Sequence, residues 1–235
     1  MGDLLAKRRG QAHGSAYLDR TTLDQFLVTQ AYVREGPAIV KGHELGPVAL
    51  DWIRTGRAKA VCTIRDPRDC IASDIVFWGA GFDASISRVV SSIKYLADYQ
   101  DFGRTLFIRY EDMMEDRMWQ IKRIAAYLQI ALDQKDAETI DAQTNIRASR
   151  KICEGLSGRT DKDVDVILDS HRRDRTTLLH DNHIGSGEVG RWKRELTPEQ
   201  GQKLTQLLQR SLRALGYESD GSTLASNRPA STTAV

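Results

Sequence analysis

The residues best suited to bind an anion lie in one short segment, which reads Ile64-Arg65-Asp66-Pro67-Arg68-Asp69-Cys70-Ile71-Ala72-Ser73. This segment places the end of an apolar strand before a turn with two arginines and a helix that carries a serine in its second turn. Free amide groups at a helix start, together with the positive end of the helix dipole, favour an anion there. Arg65 and the hydroxyl of Ser73, eight residues apart, would approach one phosphate from two sides. From this segment alone, a capped helix with surface arginines is an equally good interpretation.

The charge balance limits the kinds of partner. The chain has 235 residues and a formal charge of +2, from 34 Lys and Arg against 32 Asp and Glu. A protein that coats nucleic acid would be far more basic, so we expect no nucleic-acid partner. Arginines make up 24 of the basic residues, and their planar donors suit phosphate and sulfate oxygens. A local anion site is therefore compatible with a nearly neutral chain.

The cysteines and the apolar runs indicate the compartment. Cys62, Cys70 and Cys153 show no CxxC or His-rich spacing, so we predict neither a disulfide framework nor a metal site. No run approaches 18 apolar residues, which predicts no membrane span. A basic run at 7–9 interrupts any signal-peptide core. We expect a cytoplasmic protein.

Alternating short apolar strands and amphipathic helices predict an α/β fold, with a parallel sheet flanked by helices that position this segment. The predicted strands are 38–41, 58–64 and 105–109. The first predicted helices are 21–34, a second that Pro47 opens and Gly56 closes, and a third that starts at Asp66-Pro67. A fourth carries an apolar stripe of Ile86, Val90, Ile93 and Ala97. The fifth covers 118–130, with an inward face of Ile121, Ile124, Ala125 and Leu128. Residues 133–180 are predicted to be charged and mainly helical, with the run from His171 to Arg175 on a solvated helix face.

The last helix has the clearest signals. Thr197-Pro198-Glu199-Gln200 is a capping box with proline at the first helical position, and Gly216 is placed to end the helix. Its predicted buried face consists of Leu204, Leu207, Leu208, Leu212 and Leu215. Beyond Tyr217 the chain is rich in small polar residues and has no apolar period. We therefore predict one domain over 1–217 and a disordered tail over 218–235.

Four segments, in order, resemble the sulfotransferase family that uses 3′-phosphoadenosine 5′-phosphosulfate (PAPS). Ile39-Val40-Lys41-Gly42-His43 is similar to the family's strand end with Lys-x-His, and the segment from Arg65 to Ser73 is similar to its 3′-phosphate loop. Leu106-Phe107-Ile108-Arg109-Tyr110-Glu111-Asp112 resembles its YED segment. Gly187-Glu188-Val189-Gly190-Arg191-Trp192-Lys193 resembles its G-x-x-G-x-W-K segment. The resemblance spans residues 39–216 and implies a P-loop-like α/β fold.

The resemblance also implies an activity, which is transfer of a sulfuryl group from PAPS to a hydroxyl or amine without a metal. In this reading His43 is the catalytic base and Lys41 neutralises charge on the leaving phosphate. The residues that would bind the cofactor are Arg65 and Ser73 at the 3′-phosphate, Gly187 and Gly190 through close backbone approach, Tyr110 by the adenine, and Lys193. The acceptor would be a small molecule, a glycan or a lipid.

One part of the family pattern has no counterpart here. The family's first strand and the loop that grips the 5′-phosphosulfate are missing, and residues 3–8 resemble the end of the helix that follows that loop. The alternative hypothesis is therefore a truncated, non-catalytic remnant that binds a 3′-phosphoadenosine nucleotide or a partner without turnover. A P-loop kinase or NTPase would share the architecture, but the sequence contains no G-x-x-x-x-G-K-[ST].

Overall fold

The structure, a computed structural model, describes residues 16–17, 24, 39–42, 45–100, 104–167, 171–181 and 184–222. The chain divides into two compact units, one formed from 1–63 and 94–187 and the other from 64–93 and 188–235. Over the described ranges, every helix is too short or too polar to cross a bilayer.

The elements follow one another in this order: β1 (Ala16–Tyr17), β2 (Val40–Lys41), α1 (Pro47–Thr55), β3 (Ala60–Ile64), α2 (Pro67–Trp78), α3 (Phe82–Gln100), β4 (Thr105–Arg109), α4 (Tyr110–Glu115), α5 (Arg117–Leu128), α6 (Gln134–Thr144), α7 (Ile146–Glu154), β5 (Val164–Ile167), β6 (His171–Asp174), α8 (Trp192–Glu195), α9 (Pro198–Leu207) and α10 (Gln209–Leu215). β1 and β2 pair in parallel, β3 and β4 are hydrogen-bonded neighbours, and β5 and β6 form an antiparallel hairpin. Helices separate β2 from β3 and β3 from β4, and β1 and β2 pair in parallel, so the predicted α/β class is confirmed. β1 was not predicted, and the predicted helix over 21–34 lies outside the described residues except for Asp24.

A distant carboxylate satisfies the start of α1. Gly46 occupies the N-cap position and has no side chain to accept a hydrogen bond from the first turn. The Asp24 carboxylate takes that role, accepting the N–H of Val48 at 3.2 Å and of Ala49 at 3.0 Å. Gly56 ends α1 in the left-handed conformation, as the sequence predicts.

Helix α5 supplies much of the core of the first unit. Ile121, Ile124 and Ala125 are buried along it, which confirms the predicted inward face. Ile121 packs with Ala137 and Ile140 of α6, and half-buried apolar side chains close around this group: Met118, Leu128, Ile130 and Leu132. Helix α3 also forms where the stripe predicts it, although Ala97 at the end of that stripe is exposed.

The prediction of a mainly helical region over 133–180 is partly wrong. Helices α6 and α7 are followed by the β5–β6 hairpin, so the run from His171 to Asp174 is a strand and not a helix face. The reason is cross-strand pairing: Arg173 lies opposite Asp165 in the register, and its Nη2 donates to that carboxylate at 2.9 Å. Opposite charges on facing strands stabilise this hairpin, whose second strand contains no apolar residue that would indicate a strand.

Two helices replace the single predicted one at the end of the second unit. The capping box at Thr197 and Gln200 forms as predicted, and Gly216 ends α10 in the left-handed conformation. Leu208 leaves the helical region, with φ −97° and ψ 6°, and separates α9 from α10. The break turns Leu207 outward, where 57% of it is exposed, so its predicted burial is wrong. The other four leucines of the predicted face are buried: Leu204, Leu208, Leu212 and Leu215.

Residues 218–222 form a compact turn after α10. The N–H of Glu218 donates to the carbonyl of Ser222 at 2.8 Å, and the N–H of Gly221 donates back to Glu218 at 3.1 Å. The Asp220 carboxylate accepts the backbone N–H of Ser222 at 2.8 Å. Residues 223–235 of the predicted tail lie outside the described residues, and the single domain over 1–217 stays a prediction.

Candidate functional site

The turn between β3 and α2 is built by local signals. Asp66 caps α2, accepting the Arg68 N–H at 2.9 Å, and Pro67 occupies the first helical position where its missing N–H costs nothing. Both features were predicted from the sequence. They place Arg65 directly before the N-terminus of the helix.

Two acceptors fix the guanidinium of Arg65. Its Nη2 donates to the Asp69 carboxylate at 3.0 Å and to the backbone carbonyl of Glu188 at 2.9 Å. The Arg65 side chain is 19% exposed, whereas the Asp69 side chain has no exposed surface. An arginine held in this way presents a fixed direction to any ligand that reaches it.

Asp69 joins two segments that are far apart in the sequence. Besides Arg65, its carboxylate accepts the N–H of Gly190 and the N–H of Trp192, each at 2.9 Å. These charge-assisted bonds tie the first turn of α2 to the segment around Gly190. The Gly190 N–H is therefore engaged within the protein, and close approach to a phosphate would come through its Cα, at a φ of +75°.

Ser73 lies one helical turn beyond Asp69 on α2 and is half-buried. Residues four apart share one face of a helix, so the hydroxyl of Ser73 is on the Asp69 side of α2. Ser73 therefore lies one turn from the carboxylate that binds Arg65, and the approach of both residues to one phosphate stays a prediction. Lys193, the last predicted residue of this unit, is exposed and lies beside an open cavity of about 520 Å³.

In the first unit, Tyr110 and Gly187 are in direct contact. The Tyr110 hydroxyl donates to the Gly187 carbonyl at 2.8 Å. Gly187 has a φ of +73°, and a Cβ there would collide with the Ile146 side chain. Close packing against Ile146 thus already requires glycine at this position. Nearby, Arg150 Nη2 donates to the Gly185 carbonyl at 2.9 Å, which fixes the same stretch from a second side.

Of the two residues predicted to be catalytic, the structure describes Lys41 but not His43. Lys41 ends β2 and keeps solvent contact, yet the surrounding chain partly desolvates its ammonium and lowers the pKa, and the positive charge of Arg173 lowers it further. His43 lies outside the described residues. Among the described residues, His, Cys, Asp and Glu side chains form no group that could hold a metal ion.

Sequence reasoning missed Arg68 and Asp69 as parts of this region. Both are completely buried, although charged residues are rarely buried unless they are paired. The spacing of four residues between Arg65 and Asp69 was a usable signal for their ion pair. Nothing in the sequence distinguishes Arg68 from a surface arginine, because three of its partners, Thr205, Glu218 and Ser219, come from a distant segment.

Comparison with known proteins finds one family. The family model described as a sulfotransferase domain matches residues 17–216. Cytosolic sulfotransferase 4 of Arabidopsis thaliana is 26% identical over 188 residues, which cover 77% of this chain and 58% of that protein. Cytosolic sulfotransferase 6 of the same plant is 26% identical over 160 residues, covering 67% and 44%. The chain thus spans about half the length of these curated relatives.

Solved structures share the fold. A mouse sulfotransferase, SULT7A1, complexed with PAP aligns with a TM-score of 0.61 at 17% identity, covering 89% of this chain and 77% of that one. A retinol dehydratase in complex with androsterone and the inactive cofactor PAP aligns with a TM-score of 0.56 at 18% identity, covering 79% and 56%. At these identities the likeness extends to the fold, in agreement with the α/β class.

Proposed function

The chain belongs to the sulfotransferase domain family, and from that membership we propose that it binds PAPS and takes part in sulfuryl transfer to a hydroxyl or amine. The acceptor in this proposal is a small molecule, a glycan or a lipid. Relatives that are named cytosolic sulfotransferases support the cytoplasmic location predicted from the sequence.

The observation that carries the proposal is the contact of Arg65 with the segment from Glu188 to Trp192. Two stretches of sequence, each predicted to hold the 3′-phosphate, are 123 residues apart at this hydrogen bond. The buried Asp69 bonds to both of them. Chance placement of surface arginines would not bring these two stretches together.

The electrostatics of this region fit a phosphate. An isolated carboxylate beside the site would repel an anion, but the Asp69 charge is balanced by Arg65 and by two backbone N–H groups. The Arg65 guanidinium keeps some exposed surface and carries five N–H donors, which suit a tetrahedral anion. We assign the 3′-phosphate of the donor to Arg65, Ser73 and the backbone at Gly190.

The remaining assignments extend the proposal along the nucleotide. We assign the adenine to Tyr110, whose ring is held in place by its hydroxyl bond to the Gly187 carbonyl. Lys193, as an exposed cation, is proposed to contribute charge to the same nucleotide. Bound PAPS would supply an activated sulfuryl group, and the protein's task is to orient it.

The chemical roles rest on Lys41 and His43. An imidazole with an ordinary pKa near 6.5 can accept a proton from an acceptor hydroxyl at neutral pH, which is the role proposed for His43. The lowered pKa of Lys41 makes its ammonium a better proton donor toward an oxygen whose negative charge grows as a bond breaks. The two residues would thus act at opposite ends of the transferred group.

Calorimetric titration tests the nucleotide-binding part of the proposal. PAP (3′-phosphoadenosine 5′-phosphate) should bind more tightly than adenosine 5′-phosphate. Arg65→Ala should weaken PAP binding roughly 10- to 100-fold, since a charge-assisted hydrogen bond contributes about 1.5–3 kcal/mol. Arg88→Ala is the matched control, because Arg88 is an exposed arginine that pairs with Asp74 in the same unit. Equal affinity for the two nucleotides in a folded chain would contradict the assignment.

A transfer assay tests the chemistry separately. Labelled PAPS is incubated with phenol, alcohol and amine acceptors, and transfer should be lost in His43→Ala while PAP affinity is retained. Tight PAP binding without any transfer, unchanged by His43→Ala, would favour the alternative of a non-catalytic nucleotide-binding protein.

A further inference from the structure

We infer that the turn at 218–222, which lies beyond the residues matched by the family, positions the segment Glu188–Lys193 through Arg68 and Gly221. The effect on nucleotide binding rests on the proposed function. The effect on the segment itself does not. Arg68 is a positioning residue in this inference, and no contact between Arg68 and a ligand is invoked.

Arg68 uses every donor it has. Nε and Nη2 donate to the two oxygens of Asp66 at 3.0 and 2.7 Å, and Nη1 donates to the Thr205 hydroxyl at 3.1 Å. The last two donors reach the turn, at the Ser219 carbonyl (2.7 Å) and the Glu218 carbonyl (2.9 Å). Arg68 has no exposed surface. Loss of the turn would therefore leave two buried N–H groups without acceptors.

The same guanidinium lies over the indole of Trp192, with the Arg68 Cζ 4.5 Å from the ring centroid. A cation over an indole face is favourable, and burial strengthens it. Trp192 also donates its backbone N–H to Asp69. The position of Arg68, set partly by the turn, thus fixes the indole of the segment that Asp69 anchors.

The turn also contacts the segment directly. Gly221 has a φ of +88°, and a Cβ there would lie 3.2 Å from Lys193 Cε and 3.4 Å from Lys193 Nζ. The Lys193 ammonium is 5.7 Å from the centroid of the Trp192 ring. Asp220, one residue earlier, has a pKa lowered first by hydrogen bonds from Ser222 and also by the positive charge of Lys193. The turn therefore helps to position the backbone of this segment, the indole of Trp192 and the ammonium of Lys193.

Amide hydrogen exchange of the full, ligand-free chain tests this positioning. The test variant is Gly221→Ala, which combines backbone strain with pressure on Lys193. The matched control is Gly158→Ala, because Gly158 also has a positive φ, +72°, but an added Cβ there would meet no atom of the described residues within 4 Å beyond its chain neighbours. The Gly190 and Trp192 amides, which donate to Asp69, should exchange about ten-fold faster in Gly221→Ala and at the wild-type rate in Gly158→Ala.

If Gly221→Ala does not fold, Asp220→Ala replaces it. Asp220 is exposed, and its carboxylate accepts both the N–H and the hydroxyl of Ser222, so its loss opens the turn without touching the core. The same acceleration at Gly190 and Trp192 is expected. Unchanged exchange at these two amides in the turn variant overturns the inference, whatever the chain binds.

Titration with PAP and adenosine 5′-phosphate then separates this inference from the proposed function. Gly221→Ala should weaken PAP binding about ten-fold while leaving adenosine 5′-phosphate unchanged, and Gly158→Ala should change neither. A merely structural turn would not alter this preference. Faster exchange with unchanged PAP affinity would overturn the link to the nucleotide. A wild-type chain that binds no PAP would refute the proposed function, and the exchange data would still decide whether the turn positions the segment.

Discussion

Replacing Asp69 by asparagine removes one negative charge and keeps the size of the side chain. In the folded protein this carboxylate is completely buried and accepts three donors, from Arg65, Gly190 and Trp192. The asparagine amide group offers one acceptor oxygen, and its NH₂ would face a donor that previously met an oxygen. Arg65 would also lose its buried counter-charge.

The expected cost follows from these contacts. Breaking a buried ion pair by removing one partner lowers the free energy of unfolding by about 3–5 kcal/mol. For a chain of this size each kcal/mol corresponds to roughly 2–4 °C in melting temperature. Asp69→Asn should therefore lower the melting temperature by roughly 6–20 °C. Under the proposed function it should also weaken PAP binding, since the two stretches assigned to the 3′-phosphate lose their common anchor.

Urea and thermal unfolding followed by circular dichroism measure this change. Asp74→Asn is the control, because Asp74 also pairs with an arginine in the same unit, but Arg88 is 50% exposed. An exposed pair contributes little, so this variant should unfold close to the wild type. If Asp69→Asn is no less stable than Asp74→Asn, the buried carboxylate does not hold the two stretches together and the reasoning fails.

Two further predictions concern local contacts away from Asp69. Thr197→Ala should lower the free energy of unfolding by about 1 kcal/mol, because the capping box at the start of α9 is lost, whereas Thr197→Ser should retain the capping box. Urea unfolding of both variants measures the difference, and equal unfolding midpoints would refute the contribution of the cap. The hydrogen bond from Arg159, with a second from the Asp163 N–H, lowers the pKa of Asp161 to about 2. This contribution to stability is complete above the ordinary pKa near 3.9 and is lost as the pH falls through about 2. Carboxyl NMR titration should place the midpoint near that value in the wild type and higher in Arg159→Leu, and an unshifted midpoint in the variant would contradict the assigned cause.

Local signals predicted those elements whose ends are set by their own residues. The start of α2 follows from Asp66 and Pro67, and β4 was predicted over its observed range, 105–109, because it is a short apolar strand. The β5–β6 hairpin was missed because β6 contains no apolar residue, and its pairing depends on cross-strand contacts such as that of Arg173 with Asp165. The break at Leu208 was missed for a related reason, since leucine itself gives no signal to end a helix.

The residues of the candidate site also fall into two groups, those that local signals identified and those that sequence reasoning missed. Arg65 and Ser73 were identified because both residues lie in one short segment around a helix start, where their types and spacing suit an anion. Asp69 and Arg68 were not, because their burial depends on the segment near Gly190 and on the turn at 218–222, which are more than a hundred residues away. The sequence therefore indicates candidate ligand-facing groups, which stay a prediction, but it does not indicate which buried groups hold them.

The packing of Trp192 has a consequence for stability engineering of α9. Gly201 lies buried inside this helix, and replacing a helical glycine by alanine ordinarily gains up to about 1 kcal/mol in helix propensity. Here an added methyl would approach the indole of Trp192 to 3.0 Å, and the Arg68 guanidinium already packs on the same indole, with its Cζ 4.5 Å from the ring centroid. A consensus or propensity-guided library would nominate Gly201→Ala as a stabilising change. Contact with Arg68 restricts movement of the indole, so we expect overpacking to offset the gain in helix propensity, and this glycine is one to leave in place.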